Sequence, residues 1–132
     1  MFLEKQIKKK LAGLTSKQIG DKAEQIACDY LQKKGLTLIT SNFTSRFGEI
    51  DLIMQDSKQT NTVFVEVRYR KNKQFGGAAI SVTPQKQQRI IKTALYYMQQ
   101  HEPDASARFD VVAIEGDISG GYEIDWIRDA FQ

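Results

Sequence analysis

The chain has 132 residues, of which 41% are hydrophobic and 27% charged, and it contains a single cysteine, Cys28. This length is sufficient for one domain with its own core, and one cysteine excludes an internal disulfide and a cysteine-rich metal site. No segment is apolar enough to span a membrane and no signal-peptide pattern is present, so we expect a cytoplasmic protein without a membrane partner.

The net charge of +3 conceals a strong segregation of charge along the chain. Residues 61–100 contain seven Lys or Arg residues and one acidic residue. Residues 101–132 contain two Lys or Arg residues and eight acidic residues. Ordinary solubilising lysines would explain the sum but not this distribution. A basic segment of this kind suits a polyanion such as nucleic acid. Its candidate phosphate contacts are Arg68, Arg70, Lys71, Lys73, Lys86 and Arg89.

The first predicted element is a helix that follows a basic N-terminal arm at residues 1–14 and opens a single domain at residues 15–132. A capping box that starts at Thr15 marks the beginning of this helix, and Gly35 marks its end. Glu24 lies beside the apolar stripe, next to small residues that would let the helix approach a sheet closely. From the residues alone, a functional carboxylate and an ordinary surface glutamate explain Glu24 equally well.

Three strands are predicted next, at residues 36–43, 48–54 and 63–70, and the last two form an antiparallel hairpin. Both hairpin strands alternate with a period of two, which assigns successive residues to opposite faces of a sheet. In the first of them, the pattern predicts one face from Ile50, Leu52 and Met54 and the other from Glu49, Asp51 and Ile53.

The register of this hairpin brings two carboxylates together. If Ile53 pairs with Phe64, then Asp51 lies opposite Glu66, with Cβ atoms about 5 Å apart. A register slip of two residues would separate them, and the loop length does not exclude it. Carboxylates this close need a cation or a shared proton, and oxygen ligands favour Mg²⁺ or Mn²⁺. The alternative is that both are solvated residues on an exposed face, but the valine-rich neighbourhood favours a covered face and hence a metal site.

The same register sets Glu49 opposite Arg68, which makes Glu49 a candidate supporting residue. After a glycine-containing connection, Thr83 and Pro84 predict the start of a second helix. Lys86 lies one turn before the apolar stripe of this helix and is expected to point inward. That stripe is predicted to consist of Ile90, Ile91, Ala94, Leu95 and Met98.

Two further strands, at residues 109–114 and 122–127, complete the predicted order of elements. Sequential strands pair as a meander, and the second helix provides a crossover connection within a mixed sheet. We therefore expect an α/β (α+β) fold in which a central mixed β-sheet is flanked by a helix on each face.

An acid on the first helix, an acid in mid-strand and a Glu-x-Lys pattern on the next strand resemble the PD-(D/E)xK nuclease superfamily. Those places are held here by Glu24, Asp51, Glu66 and Arg68. More narrowly, the chain resembles the YraN family of small bacterial proteins, which are predicted to resemble archaeal Holliday-junction resolvases. The segments that carry this resemblance are Gly20 with Ala23-Glu24, residues 48–53 and 64–68, Phe75-Gly76 and residues 108–112.

The resemblance implies a restriction-endonuclease-like αβββαβ core and metal-dependent hydrolysis of phosphodiester bonds in DNA, including branched or junction DNA. It implies that Asp51 and Glu66 ligate Mg²⁺ or Mn²⁺ and that Glu24 assists through a water. Arg68 departs from the superfamily lysine: arginine stays protonated and cannot act as a base, although it can hold a phosphate. Lys86 could supply the missing amine.

Two rival functions stay open. The chain could be a nucleic-acid-binding module that keeps the pocket without turnover, or a scaffold whose acidic C-terminal third binds a basic protein. Symmetric cleavage of both strands at a junction would require a homodimer, because one chain contains one carboxylate cluster. The candidate interface comprises Tyr122, Trp126 and Phe131, although Trp126 alone fits a core position better.

Overall fold

The computed structural model describes residues 13–72, 77 and 82–132. The described residues include two helices and five strands: α1 (Ser16–Lys33), β1 (Leu36–Ser45), β2 (Gly48–Asp56), β3 (Asn61–Arg70), α2 (Pro84–His101), β4 (Ser106–Gly116) and β5 (Tyr122–Ile127). Residues 1–12 of the expected basic arm, Lys73 and the Phe75-Gly76 segment lie outside the described residues. Among the described residues, neither helix is long and apolar enough to span a membrane.

The five strands form one mixed sheet in the order β1-β2-β3-β4-β5. Strands β1, β2 and β3 are antiparallel neighbours, β3 and β4 are parallel, and β5 returns antiparallel to β4. The parallel pair needs a crossover connection, which α2 provides. The expected α/β (α+β) architecture is therefore confirmed, and it is consistent with a restriction-endonuclease-like core.

Local sequence signals fix the ends of both helices. Thr15 accepts a hydrogen bond from the Gln18 amide, and the Gln18 side chain accepts one from the Thr15 amide, which completes the capping box. After α1, Gly35 has a φ of +104°, a conformation that favours glycine. In α2, Thr83 caps the first turn by accepting from the Lys86 amide, and Pro84 occupies the first helical position.

The two faces of the sheet carry separate cores, one under each helix. Ala23, Ala27 and Leu31 of α1 pack against the face that includes Leu52 and Val65. On the opposite face, Ile90, Ala94, Tyr97 and Met98 of α2 pack against Ile53, Phe64 and Val111. The predicted stripe of α2 was wrong in one respect: Leu95 is 56% exposed, while Thr93 and Tyr97 are buried. Tyr97 displaces Leu95 because its ring packs edge-on against Phe64, across the face of the sheet.

Strict alternation fails in β2, and the expected face made from Ile50, Leu52 and Met54 is wrong. Ile50 lies in the α2-side core, whereas Leu52 and Met54 lie in the α1-side core. The neighbouring strand β1 is also irregular: Asn42 has a φ of +53°, and the register with β2 shifts between Leu38 and Thr40. A left-handed residue within a strand disturbs the pleat locally and redirects the side chains around it.

The aromatic residues of the C-terminal third pack against the two cores to different extents. Phe131 is buried and stacks on Phe109 with ring centroids 5.3 Å apart. Tyr122 and Trp126 pack against the α1-side core, and Trp126 Nε1 donates to Asp110 Oδ2 over 2.9 Å. Phe131 is thus unavailable for an interface, whereas Tyr122 and Trp126 are partly buried, and the homodimer stays a prediction.

Candidate functional site

The hairpin has the register that brings the two carboxylates together. Ile53 pairs with Phe64, as predicted, and the ladder runs from Asp56 and Asn61 to Leu52 and Val65. Asp51 and Glu66 are the next residues along. At this point the Asp51 carboxylate replaces a backbone acceptor, because Oδ2 accepts a hydrogen bond of 2.8 Å from the Val67 amide. The Asp51 side chain therefore bridges the two strands where their regular pairing ends.

Side chains from four elements surround one cavity of about 410 Å³ at this end of the hairpin. They include Glu24 from α1, Asp51 from β2, Glu66, Arg68 and Arg70 from β3, and Lys86 from α2. The structure thus brings together all five predicted catalytic residues and three of the six predicted phosphate contacts, namely Arg68, Arg70 and Lys86. These residues are far apart in the sequence. They meet because α1 and α2, which pack on opposite faces of the sheet, both reach this cavity.

Glu66 is the most deeply buried acid of this cavity, with a side chain only 3% exposed. Two basic groups approach the same carboxylate oxygen: Lys86 Nζ lies 3.4 Å from Glu66 Oε1, and Arg68 Nη1 lies 3.5 Å from it. The inward orientation expected for Lys86 is present. Buried charges need partners, and here Glu66 has two cations beside it as well as the neighbouring carboxylate of Asp51.

The carboxylates interact strongly with one another. Burial, followed by the charge of Asp51, raises the pKa of Glu66 to about 7, and the same two causes raise the pKa of Glu24 to about 7. Burial also raises the pKa of Asp51, although its hydrogen bond from the Val67 amide acts in the opposite direction. Asp51 is hydrogen-bonded to both glutamates. The cluster therefore holds protons near neutral pH, where isolated carboxylates would be ionised.

The carboxylates of the cavity offer oxygen ligands for a divalent cation. Among the described residues, no three His, Cys, Asp or Glu side chains converge into a ready-made metal cage. The contact between Asp51 and Glu66 nevertheless supplies two oxygen donors in a crowded, partly protonated pair. Mg²⁺ commonly takes one or two carboxylates and keeps several waters. The oxygen donors of Asp51 and Glu66 fit an open two-carboxylate site.

Other predicted residues lie elsewhere. Glu49 is exposed, pairs with Thr44 of β1 and does not line the cavity, so the structure does not bring it to the site. The expected opposition of Glu49 and Arg68 is absent because the regular ladder between β2 and β3 ends at Leu52 and Val65. Lys71 is exposed just after β3, and Arg89 is exposed on α2, outside the cavity lining.

Sequence reasoning missed Asn42. Its side chain is hydrogen-bonded to the Glu24 carboxylate, which favours the ionised form of that glutamate. Asn42 and Glu24 also line a second cavity of about 360 Å³ between α1 and β1. The available signal was an asparagine inside an otherwise plausible strand, because asparagine is depleted in strands and tolerates a positive φ.

Comparisons with known proteins agree on one family. The model of a family described as "Uncharacterised protein family UPF0102" matches residues 23–114. The chain is 50% identical over 119 residues to a UPF0102 protein of Coxiella burnetii, covering 89% of this chain and 94% of that protein. It is 51% identical over 112 residues to one from Nitrosomonas europaea, covering 85% and 92%. The UPF0102 protein YraN of Escherichia coli is 46% identical over 121 residues, covering 89% and 87%.

Proposed function

This chain belongs to the uncharacterised protein family UPF0102, and we propose that it is a divalent-metal-dependent nuclease that hydrolyses phosphodiester bonds in DNA. One observation carries the proposal: Glu24, Asp51 and Glu66 line the same cavity as Arg68 and Lys86. Acidic side chains that could bind a cation thus lie beside basic side chains that could bind a phosphate. The YraN resemblance supports the same activity.

Asp51 and Glu66 would hold Mg²⁺ or Mn²⁺, and Glu24 would orient a water at the edge of the site. A cation bound there would lower the pKa of a water and offset negative charge on the phosphate. Lys86 and Arg68, both within 3.5 Å of Glu66 Oε1, are placed to turn toward the phosphate oxygens when a cation satisfies that carboxylate. Their positive charge would then stabilise the charge that develops in the transition state.

Arg68 and Lys86 would divide the work that the superfamily assigns to one lysine. Arg68 is a permanent cation with a planar fork that suits two phosphate oxygens. Lys86 offers an amine that can move on a flexible stem, and its side chain is 38% exposed at the cavity edge. We therefore assign phosphate binding to Arg68, and orientation of the attacking water to Lys86 together with Glu24.

A cleavage screen tests this function. The protein is incubated with Mg²⁺ or Mn²⁺ and with duplex, single-stranded, flap and four-way-junction DNA, and the products are resolved on denaturing gels. We expect metal-dependent cleavage of at least one substrate, with loss of activity in Asp51→Asn and Glu66→Gln. Asp125→Asn, an exposed acid on β5, is the matched control and should cleave as the parent protein does.

A second candidate function is nucleic-acid binding without turnover, which the arginine at position 68 favours because arginine cannot act as a base. Metal-dependent binding without cleavage of any of the four substrates would select this function and reject the nuclease. Loss of activity in the Asp125→Asn control would show that surface acidity, rather than the carboxylate cluster, governs the reaction.

Symmetric cleavage of a four-way junction would require a homodimer, because each chain contains one carboxylate cluster. Of the three aromatic residues predicted for its interface, Phe131 is buried, while Tyr122 and Trp126 are partly buried. Sedimentation equilibrium with and without junction DNA measures the stoichiometry directly. A dimer on the junction is expected for a resolvase, whereas a monomer in both conditions would restrict the activity to cutting one strand at a time.

A further inference from the structure

A cluster of aromatic rings lies on the surface between the β1–β2 turn and α2. Tyr96 of α2 lies 6.2 Å from Phe47 and 6.5 Å from Phe43, measured between ring centroids. Phe43 continues the cluster inward, because its ring packs edge-on against buried Tyr97 at 5.2 Å. Tyr96 is 38% exposed, so the outer part of the cluster offers an aromatic surface held by a rigid core.

Basic side chains surround these rings. The Arg46 guanidinium carbon lies 4.8 Å from the centre of the Phe47 ring, and Arg46 itself is exposed. Lys92 is exposed one helical turn before Tyr96. Arg89 is exposed beside the turn, where a Cβ at Gly48 would lie 3.4 Å from the Arg89 Cβ. Helix α2 contains no acidic residue in Pro84–His101, so no carboxylate on this helix offsets the positive charge.

We define the aromatic–basic surface as Phe43, Arg46, Phe47, Arg89, Lys92 and Tyr96. It is connected to the carboxylate cavity by α2, because Lys86 of that helix lies at the cavity and Tyr96 lies ten residues further on. This separation corresponds to about 15 Å along the helix axis. About four stacked nucleotides of a single strand, at roughly 3.4 Å each, would span the same distance.

We propose that the aromatic–basic surface binds an unpaired nucleic-acid strand that continues from the phosphate held at the carboxylate cavity. This inference rests on the proposed function, since it names the form of nucleic acid that the same protein would take. Exposed rings stack with any base, and adjacent Lys and Arg side chains follow the backbone, which is the usual composition of a single-strand binding surface. A base pair in a duplex hides its faces and could not stack on Tyr96 in this way.

A second copy of this chain is the competing occupant of an exposed aromatic patch. The charge of the surface argues against it, because a two-fold dimer would place the basic side chains Arg46, Arg89 and Lys92 of both copies in one interface. A polyanionic strand would instead neutralise all three groups. Charge complementarity therefore favours nucleic acid over self-association.

Fluorescence anisotropy in EDTA tests the proposal without cleavage. The probes are single-stranded DNA and single-stranded RNA of about 12 nucleotides and a blunt DNA duplex of the same length. We expect tighter binding of the single strands than of the duplex, and Tyr96→Ala should weaken single-strand binding about 5- to 30-fold. Tyr96→Phe keeps the ring and should bind as the parent protein does. Leu95→Ala, which removes an exposed apolar side chain from the neighbouring position of α2, is the matched control.

Arg46→Ala provides a second variant on the exposed turn, and thermal melts establish that each variant is folded. Unchanged single-strand affinity in both Tyr96→Ala and Arg46→Ala would overturn the proposal. Dissociation of a dimer by Tyr96→Ala without any effect on single-strand binding would also overturn it, in favour of a contact between copies. Equal affinities for single-stranded DNA and RNA would support the proposal with recognition of the bases alone. A preference for one of them would support it with the sugar as a further determinant of affinity.

The proposal and the nuclease function can fail separately. If single-strand binding depends on Tyr96 while no DNA is cleaved, the surface is supported and the nuclease is rejected. If cleavage depends on Asp51 while Tyr96→Ala leaves single-strand binding unchanged, the nuclease is supported and the surface is rejected.

Discussion

Asp51 is the residue on which the site depends, because it joins two strands and two glutamates at once. Its carboxylate accepts from the Val67 amide over 2.8 Å and contacts both Glu24 and Glu66. It also contributes, after burial, to raising the pKa of each glutamate to about 7. Crowding of this kind destabilises a fold unless protons or a cation relieve it.

The raised pKa values predict how stability depends on pH without metal. Because the folded protein holds protons on Glu24 and Glu66 up to about pH 7, while the unfolded chain releases them near pH 4.5, the free energy of unfolding should fall as pH rises through this window and level off above it. Asp51→Asn removes the neighbouring charge and keeps an oxygen for the Val67 amide. The free energy of unfolding of this variant should therefore fall less as pH rises. Urea titrations in EDTA at several pH values measure both. An equal pH dependence in the two proteins would contradict the assigned coupling.

Lys86 is the residue to which the proposed function assigns the amine that is missing at Arg68. We expect Lys86→Met to lower kcat by about 100- to 1,000-fold with a smaller effect on KM, since its charge would act mainly in the transition state. Arg68→Lys should retain a cation at the phosphate and lose less activity. Lys58→Met, in the exposed turn at the far end of the hairpin, is the control. Full activity in Lys86→Met would remove this residue from the mechanism.

At the scale of elements, the parts that were predictable are those governed by local signals. The capping box at Thr15, the Thr83-Pro84 helix start and the pairing of Ile53 with Phe64 all follow from short-range chemistry. The position of Ile50 was not predictable, because strict alternation fails within β2 and puts Ile50 and Leu52 in different cores. The meeting of Glu24 with Asp51 likewise depends on how closely α1 packs on the sheet, which no local pattern encodes.

A buried ionic network holds the C-terminal strands to the sheet. Asp110 is 0% exposed and accepts hydrogen bonds from Arg108, the Trp126 indole and the Asp129 amide. We expect Asp110→Ala to destabilise the protein by about 3–5 kcal/mol, because Arg108 and the other donors would lose a buried acceptor. Urea titration measures the loss, and Asp125→Ala on the exposed side of β5 should change stability little. A loss below about 1 kcal/mol would show that water replaces the carboxylate.

The basic and acidic segments of the chain also lie in different parts of the folded molecule. The basic residues of β3 and α2 lie at or near the carboxylate cavity, whereas Glu115, Glu123 and Asp125 line a separate cavity on β4 and β5. Such a separation would orient the protein on a polyanion and leave its acidic edge turned away. The N-terminal arm would add further positive charge, since residues 1–10 contain four lysines and one acidic residue.

Nucleic-acid binding should therefore depend steeply on salt. Contacts to phosphate release counterions, so the logarithm of the association constant should fall linearly with the logarithm of salt concentration. Lys71→Ala should weaken binding for all sequences alike and reduce this slope by about 1, whereas Lys58→Ala should leave it unchanged. Anisotropy titrations across a series of KCl concentrations measure the slope. A salt-insensitive affinity, or a sequence-selective loss in Lys71→Ala, would contradict the assignment of Lys71 to phosphate.

Thermal melts with and without Mn²⁺ measure whether Asp51 and Glu66 bind a divalent metal, as proposed. Binding to the folded state alone should stabilise the protein by about 2.7 kcal/mol at a metal concentration of 100 Kd, and raise Tm by roughly 10 °C. Asp51→Asn should have a higher Tm than the parent protein in EDTA, because like charges are no longer crowded, and should lose the response to Mn²⁺. An unchanged Tm of the parent protein at millimolar Mn²⁺, or an equal rise in Asp51→Asn, would contradict the site.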